Sequence, residues 1–304
     1  MTTCKLFHII YCKYMVFKEW LHLDGTIILN EPEEIDTLAK MIKMAYAFDN
    51  WEKVLTLSNK LLNAANKILL TETKHLVKLD RHIAYYFGYS YLMKGLAFQK
   101  VEKYPNSFEC IAHYSNLEWL DDETEECKKI IYDFRSFAVA NTLTLEILNG
   151  NKNKLKDYVT FLEENPDQIL SGLNTILESS LAFSYSVDEE LASLMRHIKD
   201  PSHYEEQVIS AKYLSLYYLL ACYKYTNGIC NEAVDLILHT MIQADKKNND
   251  SYFKKSVALF EVLKPNASDS QLSEYSIILN NIFKGEDEYE KSTYSRSHFI
   301  KSTK

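Results

Sequence analysis

Apolar residues return at intervals of three and four from residue 35 almost to the end of the chain. Ile35, Leu38, Ala39, Ile42, Ala45 and Tyr46 make one stripe, and Trp51, Val54, Leu55, Leu61, Leu62 and Ala65 make the next. This spacing gathers side chains on one face of an α-helix. Pro32 and the acids Glu31, Glu33 and Glu34 mark the first start, where proline and negative charge suit an opening turn. Leu76, Leu79, Ile83, Tyr86, Phe87 and Tyr91 predict a third helix ending near Gly95. Further helices are predicted over about 96–103, 106–117, 121–149, 152–164, 167–182, 191–198, 203–226, 229–247, 250–263 and 269–284. Strand-like alternation is absent outside a short piece near Thr26–Leu29.

The helices pair with a rhythm of roughly 34 to 45 residues, which is the signature of a helical solenoid. Turns between partners show at Asp49-Asn50, Asn149-Gly150 and Asn227-Gly228. Gly88 and Tyr91, with Gly95 at the turn, and Ala221 and Ala233 about Gly228, match the small and aromatic places of a tetratricopeptide repeat. The expected fold is all-α: a right-handed α-α superhelix, a tetratricopeptide-like solenoid over residues 31–284. Residues 1–30 are set apart as an N-terminal segment and 285–304 as a flexible tail.

Composition agrees. The 304 residues contain only 7 Gly and 5 Pro, where average usage gives about 20 and 15. Sheets and phosphate-binding loops spend glycine on positive φ. A net charge of −8 argues against a broad nucleic-acid face. The six cysteines form no C-x-x-C, and most lie on helical segments among apolar neighbours, which suits reduced thiols in a cytoplasmic protein. Leu6–Phe17 is about a dozen residues and is broken by Lys13, short of the roughly 20 that a membrane span needs.

No catalytic motif emerges, so the chain is not expected to be an enzyme, and no cofactor or metal is expected. His75 and His82 are seven apart on one predicted helical face, but no third ligand stands near them in sequence. Of the 22 tyrosines, four fall between Tyr85 and Tyr91 and five between Tyr213 and Tyr225, crowding two helices where they serve helix seams or line a groove. Asn141 lies in line with Phe134, Ala138, Leu145 and Leu148, and Asn174 sits between Leu170 and Leu177. A buried amide must find partners. Each asparagine therefore either ties to a neighbouring helix or faces a groove, where one amide can both donate to and accept from a peptide backbone.

Several segments carry a resemblance: Tyr89-Ser-Tyr-Leu-Met-Lys-Gly95, Cys110 to Trp119, Phe137 to Asn141, Tyr158 to Pro166, and Ile169 to Glu178. They resemble the tetratricopeptide receptor region of Gram-positive peptide-pheromone regulators, a group comprising the Rap, NprR, PlcR and PrgX types and the phage arbitrium (AimR-type) receptors. The resemblance implies a regulatory protein that holds a short signalling peptide in a concave groove. Its conformation or dimer state would then change, to control transcription or a protein partner. Asn141 is the carried-over peptide-holding residue, and Asn174, Arg135, Tyr89 and Tyr217 complete the candidate set. The family's N-terminal helix-turn-helix has no counterpart in residues 1–34, so direct DNA binding is not expected, and the lack of any glutamine before Gln99 counts against a Rap-like phosphatase. A helical scaffold without a peptide ligand is the rival expectation.

Overall fold

The computed structural model describes residues 35–70, 79–205 and 207–284. Among them the chain is all-α, with twelve α-helices and no strand. The strand-like piece near Thr26–Leu29, the apolar start, His75 and the tail lie outside the described residues. No helix among the described residues is long and apolar enough to cross a membrane.

The chain divides after Tyr158 into two compact units. In the first, helices α1 (Ile35–Ala47) and α2 (Trp51–Leu70) follow the two opening stripes, and Ile42, Val54, Leu61 and Ala65 lose all contact with solvent. The turn between them puts Asp49 at φ 53°. Asn50 then caps α2 by accepting from the Lys53 amide at 3.0 Å. Helices α3 (Ile83–Lys100), α4 (Tyr104–Ser115) and α5 (Glu125–Leu148) complete the unit, and α6 (Leu155–Glu164) carries the boundary.

Helix α3 departs from the expected ends. It begins at Ile83, and it runs through Gly95 to absorb most of the separate helix predicted over 96–103. Gly95 is a packing residue and not a turn. A Cβ there would stand 3.1 Å from the Cys110 Cβ, and the Ser107 hydroxyl donates to the Gly95 carbonyl at 2.8 Å. The absent side chain lets α4 lie close against α3. The chain turns instead at Glu102, φ 58°. Positive φ also falls on Glu123, Ser184 and Asn248, so glycine poverty has not removed the left-handed turns but moved them onto other residues.

The second unit contains α7 (Ile169–Phe183), α8 (Asp188–Leu194), α9 (Gln207–Thr226), α10 (Cys230–Lys246), α11 (Asp250–Leu263) and α12 (Asp269–Lys284). The helix predicted over 191–198 starts earlier and tightens into a 3₁₀ turn at Met195–His197, and Pro201–His203 is likewise a 3₁₀ turn ahead of α9. Ala221 and Ala233 are fully buried where α9 meets α10.

Packing is local in both units. Helix α3 packs on α2 and α4 and also touches α1 and α5; helix α9 packs on α7 and α10 and also touches α11. These helices meet partners close to them in sequence, α9 reaching past the short α8 to α7, as stacked helical hairpins do. Tyr86, Tyr114 and Phe134 centre the first core, and Phe260 lies flat on Tyr275 in the second, ring centroids 3.8 Å apart.

Candidate functional site

The two asparagines are buried, and their amides are committed to neighbouring helices. Asn141 on α5 donates from Nδ2 to the Tyr114 hydroxyl of α4 at 2.9 Å. Burial pushes the Tyr114 hydroxyl well above the usual tyrosine range, although the Asn141 bond works the other way. Asn174 on α7 donates from Nδ2 to its own Leu170 carbonyl at 2.8 Å and to the Lys212 carbonyl of α9 at 3.1 Å. Its Oδ1 is buried and meets no protein donor. Of the two alternatives open from sequence, both Nδ2 groups take the inter-helix tie.

Tyr89 on α3 is buried and stacks on Tyr85, centroids 5.3 Å apart. Tyr85 leans on Phe134, and Phe134 on Tyr114, so one aromatic chain joins Tyr89 to the Asn141 bond. Arg135 on α5 is half-exposed and paired with Glu118. Tyr217 on α9 is buried between Tyr213 and His239, with centroids at 4.7 and 4.6 Å. Tyr213 shares a hydrogen bond of 3.0 Å with His239 Nε2, and burial raises both tyrosine hydroxyls. The structure therefore gathers Tyr89, Arg135 and Asn141 about α3–α5, while Asn174 and Tyr217 belong to the second unit.

Beside the first group opens a cleft of about 310 Å³, lined by Asn66 of α2, Phe87 and Tyr91 of α3, His113 and Asn116 at the end of α4, and Trp119 just beyond. Phe87 and Tyr91 are one helical turn apart and so share a face of α3. Asn116 ends α4, and the 3₁₀ turn Glu118–Leu120 that follows carries Trp119 over the opening. Phe87 meets Trp119 edge to face, centroids 5.2 Å apart at 80°. Tyr91 stacks on His113 at 4.3 Å and 17°. Burial is the main cause that raises the Tyr91 hydroxyl, with Cys110 and Glu109 adding to it. Trp119 is 61% exposed, and Glu118 beside it holds Arg135. An exposed indole on the rim of a concave, aromatic, amide-bearing surface offers stacking area and hydrogen bonds at low ordering cost.

His82 stands just outside α3 as its N-cap. His82, Asp122 and Cys127 bring ligand atoms within 4.8 Å of one another. However, His82 Nδ1 accepts from the Ala84 amide at 3.2 Å, which leaves the ring proton on Nε2, facing Asp122 Oδ2 at 3.2 Å. A metal on Nε2 would have to reverse that tautomer against a backbone N–H. Cys127 remains a thiol: it donates to the Leu120 carbonyl at 3.3 Å, and burial raises it. The trio is a polar clasp at the start of α3 and α5.

No family model matches the sequence, and neither a curated protein nor a solved structure matches the chain. Sequence reasoning passed over the cleft because its walls come from three helices. Trp119 was visible only inside a motif, and the i, i+4 pair Phe87 and Tyr91 read as core.

Proposed function

We propose that this chain is a cytoplasmic peptide-sensing regulator, whose paired helices form consecutive turns of a right-handed, tetratricopeptide-like α-α superhelix. It binds a short peptide and changes conformation or dimer state to control transcription or a partner protein. The local packing order supports the repeat reading, since a ligand spanning several hairpins can bias how they stack. The observation that carries the peptide reading is the aromatic cleft. Three successive helices build it, and Asn66 and Asn116 stand beside the rings, able to meet a peptide backbone. Asn141 ties α5 to α4, whose end lines the cleft.

The test is a melting experiment. Pools of peptides five to seven residues long are mixed with the full chain, because a ligand that binds only the folded state raises Tm. The proposal expects a rise that is lost in Trp119→Ala. A Tm that ignores every pool overturns the peptide reading.

A further inference from the structure

We propose that residues 198–205 form a strap over an aromatic pocket in the second unit, and that the ammonium of Lys247 is the latch that holds it shut. The strap lies on other helices than the cleft and does not depend on the peptide reading. It runs ahead of α9, and none of its side chains is buried. A segment with so few buried contacts opens at low cost unless something else ties it down. Lys247, just past the end of α10, supplies such a tie. Its Nζ donates to the Pro201 carbonyl at 3.3 Å and to the Tyr204 carbonyl at 3.0 Å. Both bonds come from a charged donor, which makes them stronger than neutral ones. Within the strap, the Tyr204 hydroxyl accepts from the Lys199 amide at 2.9 Å and keeps the loop folded on itself.

What the strap covers gives the latch its purpose. The ring of Tyr204 lies on that of Tyr213, centroids 5.0 Å apart at 28°. Beneath it Tyr213 meets Tyr217 and His239. Tyr213 and Tyr217 are only 1% and 7% exposed. Asp200 and Tyr204 both act electrostatically on the two hydroxyls, so the strap stands close above them. Helices α9 and α10 thus make the floor of the pocket, and the strap makes its roof. Helix α10 carries His239 in the floor and ends beside the latch. Two phenol hydroxyls and an imidazole can donate and accept, but a ligand reaches them only when the roof lifts. Tyr217, a candidate binding residue, is closed off in this state, and Lys247 sets how often it opens.

The experiment follows amide hydrogen exchange and tyrosine nitration by tetranitromethane in the full chain, both mapped by mass spectrometry. Lys247→Met keeps the unbranched stem and removes the charge. It is expected to speed exchange at the Lys199, His203 and Tyr204 amides roughly tenfold, the scale of a lost bond to a charged donor. Nitration of Tyr213 and Tyr217 should rise by a similar factor. Amides inside α10 should keep their protection, and Tm should stay near the wild-type value, since the strap buries no side chain. Tyr204→Ala leaves the carbonyl that Lys247 holds and removes the ring, so it should speed nitration of Tyr213 with the latch in place. Unchanged strap exchange in Lys247→Met overturns the latch. Faster exchange with unchanged nitration in both variants overturns the roof. Protection lost along the whole of α10 also overturns the latch, because Lys247 then serves the helix and not the strap. None of these results bears on the peptide reading, which Trp119→Ala tests.

Discussion

The carboxamide of Asn141 and the hydroxyl of Tyr114 meet across 2.9 Å, joining α5 to α4 where both side chains are buried. With little water to replace a lost partner, each single substitution strands the other group. Asn141→Leu and Tyr114→Phe are each expected to lower stability by about 1–3 kcal/mol. The double variant should lose less than the two together, with a coupling of about 1 kcal/mol. Urea unfolding of the four proteins measures this. Strictly additive losses would show that the bond does not tie the two helices.

Gly88 on α3 lies against the ring of Phe134 on α5. A Cβ built at Gly88 would come within 2.5 Å of that ring, and Phe134 is itself buried. Alanine at a helix interior gains up to about 1 kcal/mol over glycine from propensity. Overpacking a fixed aromatic ring costs about 1–3 kcal/mol, so the steric effect wins. Gly88→Ala should therefore lower Tm, and adding Phe134→Leu should recover part of the loss relative to Phe134→Leu alone. A Tm raised by Gly88→Ala would mean that the ring moves aside freely.

Helices were the legible part of this fold, because burial on one side leaves a mark at every third or fourth residue. The stripe from Ile35 to Ala45 is the buried face of α1. What the pattern cannot carry is the reason a small residue is small. Gly95 read as a turn, yet it sits inside α3 beneath Cys110, and a seam between helices and a break in one share the same local sequence. The candidate site was legible in part for a similar reason. Asn141 and Asn174 stood out as amides in apolar stripes, but which group each one meets depends on helices 27 and 38 residues away. The cleft at Trp119 depends on three helices at once, and no single stripe announces it.

Alkaline conditions should expose the thiol of Cys110. Burial pushes it up to about 11, against 9.0 for an ordinary thiol, with Lys94 opposing and Glu109 reinforcing the shift. The folded chain thus favours the neutral form more than the unfolded chain does. Its contribution is complete below pH 9.0 and is lost as pH rises toward about 11. The Tm difference between wild type and Cys110→Ala should stay constant below that window and shift against the wild type within it. A difference that is flat through the window would show that the thiol titrates as though exposed.

Asn174 should behave unlike Asn141 when replaced, although the two look alike in sequence. Its Nδ2 leans on the carbonyls of Leu170 and Lys212. Both carbonyls lie inside helices, whose own i to i+4 bonds already serve them. Its Oδ1 has no protein donor, so the side chain carries a desolvation cost that leucine would not. Asn174→Leu is therefore expected to change stability by less than about 1 kcal/mol, a smaller loss than at Asn141. Urea unfolding of this variant beside Asn141→Leu measures the difference. A large loss of stability would make Asn174 a structural tie in full.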